Sequence, residues 1–490
     1  MEADSAYTFA ELFKKQCQER PEQIAVVSPG ENLALTFTSL SSRVDVLTQL
    51  LASEGVLAQD RVAVCLGNVV AFVECFLALS RLKAIAIPID TSYSPPEIET
   101  ILSDSGASFF LLREEHTAPF VQRTYQSLGH GTLLLGRCEG DDLPEGLDDV
   151  VMMKYTSGST GTPKGVLLTA LNMAAEGQHV VSTLQLTEDD KSLAVIPLYH
   201  SYGFDFCFMP MLTTGCTLVL LQSFHARSVL RALQTQAITL FPAVPFMFDL
   251  LTRIDLSGQS VDFSSLRYCI SAAAPLSART VRRFYDTFDV VIGQNYGSSE
   301  GGAISLEIRR KPGVPSTCLG KPLHGVDIHI LDDDGNPVPQ GEVGEVVVGG
   351  EQVSSHGYYR DPALSAKAFR AGLCFTGDLG RLDEEGRLFL SGRKKNVINF
   401  AGKKIVPQEV EAVLETLDGV QEVVVVGVED EVSGELVKAC IVASKTFTTE
   451  ELVSFCQGKL AGHKIPQRWQ FYTTLPRSSV GKLDMSRLKV

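Results

Sequence analysis

The run Tyr155-Thr156-Ser157-Gly158-Ser159-Thr160-Gly161-Thr162-Pro163-Lys164-Gly165-Val166 gathers three glycines, five Ser or Thr hydroxyls and one lysine into twelve residues. Glycine lets successive backbone N–H groups turn toward one anion, the hydroxyls add donors, and the lysine adds a movable positive charge. This set fits a nucleotide phosphate. It is not a Walker A loop, which needs Gly-Lys-Ser/Thr opening a helix, because Lys164 lies between Pro163 and Gly165. A flexible Gly/Ser/Thr linker would have the same composition. Against it stand Val150, Val151, Met152 and Met153 before the run and Val166, Leu167 and Leu168 after it, which read as core strand.

Other places carry compatible chemistry. Gln294-Asn295-Tyr296-Gly297-Ser298-Ser299-Glu300-Gly301-Gly302 offers an aromatic face for a base, hydroxyls for phosphate, and a carboxylate for magnesium. Magnesium prefers one or two carboxylates completed by phosphate oxygens and water. Alone, this segment could equally be a Gly-rich turn with a solvated Glu. In Thr376-Gly377-Asp378 the carboxylate can accept hydrogen bonds from two ribose hydroxyls. Gly392-Arg393-Lys394-Lys395 follows an expected strand, and Gly481-Lys482 sets a lone lysine behind a glycine near the end.

The elements that must position these residues alternate. Helical patterns over 10–19, 40–53 and 70–82 are interleaved with β-branched runs over 61–66 and 84–89, which predicts an α/β fold with mainly parallel sheets sandwiched by helices. Between 319 and 390 short strands with Gly, Pro and Asp turns predict a small β subdomain, a small β-barrel in fold class. Beyond 393 a helix over 407–417, a strand over 420–427 and a helix over 449–460 predict a separate small α+β domain. The expected division is therefore 1–392 and 393–490, in keeping with a length of 490 residues that exceeds one core.

The net charge of −15 argues against a nucleic-acid partner, so a bound nucleotide must meet locally placed cations. The apolar stretch 69–89 is broken by Glu74, Arg81 and Lys83, which predicts core rather than membrane. Eleven cysteines without a CxxC pair predict neither a zinc site nor a disulfide framework. With a start lacking signal-peptide character and an end that is no peroxisomal tripeptide, a cytoplasmic location is expected.

Taken in order, Tyr155 to Val166, Pro197-Leu198-Tyr199-His200, Ser271-Ala272-Ala273-Ala274-Pro275, Tyr296 to Glu300, Thr376 to Asp378, Gly392 to Lys395 and Gly481-Lys482 make the chain resemble the adenylate-forming superfamily: acyl-CoA synthetases, nonribosomal peptide adenylation domains and luciferases. The resemblance implies that a carboxylate attacks the α-phosphate of ATP, with Mg2+, to give an acyl-adenylate and pyrophosphate, and that a thiol or amine then displaces AMP. By motif, Lys482 would bridge carboxylate and α-phosphate, and Glu300 would hold magnesium. Thr156, Ser157, Gly158, Ser159, Thr160, Gly161 and Lys164 would hold the β- and γ-phosphates. Ala273, Ala274, Pro275, Asn295, Tyr296 and Gly297 would surround adenine, Ser299 would touch the α-phosphate, and Asp378 and Arg393 would grip the ribose. Lys395 matches a hinge about which the small domain would swing between half-reactions. Ala272 stands where the family often has Gly, and Ser299 where Thr is commoner.

For the acid, the resemblance points to a pocket lined by Phe204, Asp205, Ser271, Gly301, Gly302 and Ala303. His200 stands where amino-acid-activating domains carry an Asp, which disfavours a free α-amino acid and favours an aryl or medium-size acyl group. His200 either lines the carboxylate site or is a satisfied core histidine. Asp205 either meets a substrate N–H or satisfies a local donor. Gly402 and Lys403 lie where pantetheine would pass, and His463-Lys464-Ile465-Pro466 resembles acyl-CoA synthetases. CoA is thus the expected acceptor, with a phosphopantetheinyl carrier protein or an amine as alternatives. A non-catalytic nucleotide-binding relative is a further alternative, and retention of Glu300 and Lys482 argues against it.

Overall fold

A computed structural model describes residues 7–114, 125–141, 143–157, 163–256, 262–308, 314–315, 317–430, 433–477 and 483–489. The chain forms two compact units, 1–328 with 347–376, and 329–346 with 377–490.

The first unit is built on two sheets. One has nine strands, with a parallel centre formed by Ile24–Ser28, Lys191–Ala194, Thr217–Leu220, Leu240–Ala243, Tyr268–Ser271 and Ile292–Ser298. Leu33–Thr36 closes one edge, and Gly302–Glu307 with Lys321–Pro322 the other, all antiparallel. The second sheet has seven strands, with Arg61–Cys65, Ile85–Pro88, Phe109–Arg113 and Val150–Ser157 parallel. Arg61–Cys65 and Ile85–Pro88 are buried at every position, as strands covered by helices on both faces must be. This is the expected α/β architecture.

Helix Val70–Leu82 has the bounds its periodicity predicts, and it buries Phe72, Phe76 and Leu79 in the core. Its one acidic residue, Glu74, is fully buried, and Arg43 and His130 meet its carboxylate. Among the described residues no helix is long and apolar enough to cross a membrane. The apolar run after His200 forms a π-helical turn, Phe204–Phe208, followed by helix Met209–Thr214. In this turn the side chains step round more slowly than in an α-helix, and such turns recur at functional sites.

The short strands expected over 319–390 are present as Lys321–Pro322, Asp327–Leu331, Gly344–Gly349, Phe369–Arg370, Leu373–Leu382 and Leu388–Arg393. In the second unit, Ile398–Phe400 and Lys403–Ile405 make a hairpin whose two loop residues, Ala401 and Gly402, both take positive φ. Two-residue hairpin turns of this hand demand it, which gives Gly402 a local reason to be glycine. Val420–Asp430 pairs with Gly434–Ala443, and Arg468–Tyr472 runs parallel to the latter. Helices Pro407–Leu414 and Thr449–Cys456 cover this sheet through Val410, Leu414, Leu452 and Cys456, each ending earlier than its sequence pattern predicts.

Burial pushes the Glu411 carboxyl up to about 7, and Glu415 adds to the rise against the lowering effect of the Val425 N–H that Glu411 accepts at 2.7 Å. A carboxyl raised in the fold stabilises it fully below its unfolded pKa, and that contribution is lost as pH climbs to the folded value. Hydrogen exchange in Val420–Asp430, corrected for intrinsic rates, should therefore quicken between pH 4.5 and 7. Glu411→Gln, which can still accept from Val425, should remove about 1–3 kcal/mol of that dependence. Equal pH dependence in both proteins would contradict a buried, protonated Glu411.

Candidate active site

In open α/β sheets, ligands bind beyond the carboxyl ends of the strands. Several motif residues of the first unit lie at such ends. Lys191–Ala194 leads to His200, Tyr268–Ser271 to Ala273, Ala274 and Pro275, and Ile292–Ser298 to Ser299 and Glu300. Ser271 and Gln294 are register partners on adjacent parallel strands, so the segments that follow them start side by side. Two polar atoms in this neighbourhood, Ser271 Oγ and Asn295 Oδ1, are buried and have no hydrogen-bond partner among the described residues. Ala273 holds φ at +69°, a left-handed conformation strained for any residue with a Cβ.

The Gly-rich segment is bounded by an antiparallel pair. Val150–Ser157 pairs with Pro163–Thr169, Thr156 opposite Lys164 and Ser157 opposite Pro163. Gly158, Ser159, Thr160, Gly161 and Thr162 lie outside the described residues, as does Lys482. A Cβ on Gly165 would meet the Tyr155 ring at 2.9 Å, so this glycine is required by packing. The Tyr155 hydroxyl donates to Asp104 at 2.6 Å. Burial, then Asp104, holds that phenol well above its usual range, and it stays a donor.

Glu300 and Lys164 converge on one aromatic side chain. The Tyr358 hydroxyl donates to Glu300 Oε1 at 2.9 Å, and Lys164 Nζ stands 5.9 Å from the centroid of the Tyr358 ring. Ser299 Oγ lies 3.3 Å from Ser201 Oγ, and Ser298 Oγ accepts from the Gly301 N–H at 3.0 Å. Gly297 lies so close to Gly302 O that a Cβ would stand 2.6 Å from it, and Gly302 takes φ +67°. Among the described residues no three His, Cys, Asp or Glu side chains form a metal cage. The donor set at Glu300, a single carboxylate, fits an ion that keeps phosphate oxygens and waters as its other ligands.

His200 is 40% exposed, its Nε2 3.7 Å from Oδ2 of buried Asp90. Burial, followed by the Asp90 carboxylate, raises the neighbouring Tyr199 phenol. Phe204 packs into the core among Phe9, Phe76 and Phe208, with centroids 5.7, 5.4 and 4.7 Å away. Asp205 meets a cation of the protein itself: Lys154 Nζ lies 3.4 Å from Asp205 Oδ1 and 3.4 Å from Glu176 Oε2. All three side chains are buried. Burial works against the Lys154 charge, but Asp205 and then Glu176 outweigh it and raise its pKa. Burial, then Asp205, drives the Glu176 carboxyl well above the usual carboxylate range, which favours its neutral form. Glu176 also abuts Gly302, where a Cβ would stand 2.9 Å from its Oε1.

In the second unit Asp378 and Arg393 are cross-strand register partners, joined by Arg393 Nε to Asp378 Oδ1 at 2.8 Å. Asp378 is buried while the Arg393 side chain is 55% exposed, an arrangement that leaves the guanidinium accessible to a ligand. Lys394 bonds Asp333 at 2.8 Å and Glu345 at 3.0 Å, and Lys395 follows it in a 3-10 turn, Lys394–Asn396. Gly402 lies in its hairpin turn, where a Cβ would meet no described atom within 4 Å, and the adjacent Lys403 is exposed.

The sequence reading missed Lys154, Glu176, Asp90 and Tyr358. Lys154 carried a signal, a lone charge at the end of Val-Val-Met-Met. Glu176, Asp90 and Tyr358 carried none, since their partners lie far away along the chain.

The chain is similar to known proteins over nearly its full length. The model of the AMP-binding enzyme family matches residues 13–359, and that of the AMP-binding enzyme C-terminal domain matches 409–482. A feruloyl-CoA synthase of Amycolatopsis sp is 34% identical over 481 residues, 96% of each chain. The ATP-bound MatB structure from Rhodopseudomonas palustris superposes with a TM-score of 0.88 at 25% identity, covering 99% of this chain and 98% of that one. The amide bond synthetase McbA from Marinactinospora thermotolerans gives 0.86 at 25% identity, covering 98% and 99%.

Removing one partner of a buried ion pair leaves an uncompensated charge, so Lys154→Met should destabilise the protein by about 3–5 kcal/mol in chemical denaturation. Glu176→Gln, which mimics the neutral form that burial favours, should cost less than about 1 kcal/mol. A Glu176→Gln loss as large as that of Lys154→Met would contradict the neutral state of Glu176.

Proposed function

The chain belongs to the AMP-binding enzymes, and from that premise we propose that it is an acid:CoA ligase that activates a small carboxylic acid with MgATP, releases pyrophosphate, and passes the acyl group to CoA. The observation that carries this reading is the convergence of Glu300 and Lys164 on Tyr358, beside the paired ends of the Gly/Ser/Thr-rich run. A carboxylate and a lysine so placed fit opposite ends of one task, holding a polyphosphate and its metal.

Negative charge accumulates on the α-phosphate as the carboxylate oxygen attacks and pyrophosphate leaves, so positioned cations and donors supply most of the rate. Glu300 would hold Mg2+, which when bound neutralises phosphate charge. Lys164 and the hydroxyls of the Gly-rich run would take the departing pyrophosphate, Ser299 the α-phosphate, and Lys482 the attacking carboxylate. Tyr296 would lie against adenine, and the Asp378–Arg393 pair would take the ribose. Half-exposed His200 would stand at the carboxylate entrance.

The 34% identity to a feruloyl-CoA synthase supports an aryl acid and a CoA acceptor. The likeness to an amide bond synthetase keeps an amine acceptor as the second reading. All eleven cysteines are free, which supports a reducing, cytoplasmic setting.

Acid-dependent exchange of pyrophosphate into ATP tests the first step. Lys482→Ala should lower it by roughly two to three orders of magnitude, the scale of a lost transition-state donor. Unchanged exchange would remove Lys482 from its role. Lys395→Pro should spare exchange and impair thioester formation; equal loss of both would contradict a hinge at that position.

A further inference from the structure

The motifs of the sequence account for Glu300 and Lys164 separately, but neither explains what fixes one against the other. The geometry points to Tyr358 as a positioning residue that sets Glu300 for the metal and Lys164 for the phosphates. This rests on the reading that Glu300 meets the metal of MgATP.

Tyr358 is placed from its backbone outward. The Leu167 N–H donates to Gly357 O at 2.9 Å and the Tyr359 N–H to Gly165 O at 2.8 Å, with Val166 and Tyr358 bridged antiparallel between them. The segment 357–359 therefore adds a short strand beside the one that leaves the Gly-rich run. Ser354 binds the same two regions. Its N–H donates to Glu300 O at 3.1 Å, its hydroxyl donates to Leu167 O at 2.6 Å, and Gly357 N–H donates to that hydroxyl at 2.9 Å. The Ser365 hydroxyl accepts the Tyr358 N–H at 2.8 Å, and the Phe369 ring meets the Tyr358 ring edge-on at 5.6 Å. Few rotamers are open to a side chain so held.

From that fixed base the phenol donates to Glu300 Oε1 and so holds the carboxylate in one orientation for a cation. An O–H donor on a ligating carboxylate orients it, and loss of such an outer partner commonly costs 10–100-fold in metal affinity. The ring face beside Lys164 adds a cation–π contact that keeps the ammonium on the same side. Hydroxyl and ring are separable: Tyr358→Phe removes only the first, Tyr358→Leu both.

The test is binding of Mn2+ to the full-length protein with a non-hydrolysable ATP analogue, followed by electron paramagnetic resonance of the bound ion. Tyr358→Phe should weaken Mn2+ binding about tenfold while leaving AMP binding and thermal stability unchanged. Tyr358→Leu should weaken binding of the analogue as well. In a Glu300→Gln background Tyr358→Phe should have no further effect on Mn2+, because its target is gone. Wild-type Mn2+ affinity in Tyr358→Phe, or a full tenfold effect persisting without Glu300, would overturn the inference while leaving the ligase reading intact. Failure of the unaltered protein to bind Mn2+ with the analogue would instead strike the reading itself.

Discussion

The antiparallel pairing of Val150–Ser157 with Pro163–Thr169 is the interaction on which the site in the first unit depends. It brings the ends of the Gly-rich run together, and it sets Lys164 opposite Thr156. Because side chains alternate along a strand, Lys154 and Tyr155 leave opposite faces. Lys154 goes to the buried carboxylates of Glu176 and Asp205, and Tyr155 goes to Asp104. The exit strand then receives the segment bearing Tyr358. A slip of one residue would exchange these faces and separate every partner at once.

Charge explains why such care is needed. A protein of net charge −15 that takes up a polyphosphate must concentrate a few cations and keep its own carboxylates from opposing them. Its buried acids are dealt with locally. Glu74 has Arg43 and His130, Asp205 has Lys154, and burial pushes the Glu176 carboxyl toward its neutral form beside that pair. Asp378 is likewise paired, and its partner Arg393 remains largely exposed. Lys164, by contrast, rests on an aromatic face, which orients it without neutralising it.

Much of this was legible in the residues. Helix Val70–Leu82 was marked by apolar spacing and closed at Lys83, and the α/β class followed from alternation of such helices with β-branched strands. The strand before the Gly-rich run was marked too, though it reaches Ser157 because Thr and Tyr continue the pairing. The π-turn at Phe204–Phe208 was not, since a run apolar at all but Asp205 hides a change of period. Phe204, which the resemblance assigns to the acid pocket, packs in the fold among core phenylalanines. The partner of Asp205 was hidden for another reason: Lys154 is 51 residues away, and nothing local encodes so distant a contact. The interleaving of the two units along the chain, through strands such as Leu373–Leu382, is equally a property of tertiary packing.

In the proposed reaction a carboxylate oxygen of the acid becomes bonded to the α-phosphorus of ATP. Turnover of an acid labelled with oxygen-18 in its carboxylate, followed by mass spectrometry of the nucleotide product, tests it directly. The expected products are AMP carrying one labelled oxygen and unlabelled pyrophosphate. Unlabelled AMP, or ADP with the label in inorganic phosphate, would contradict it.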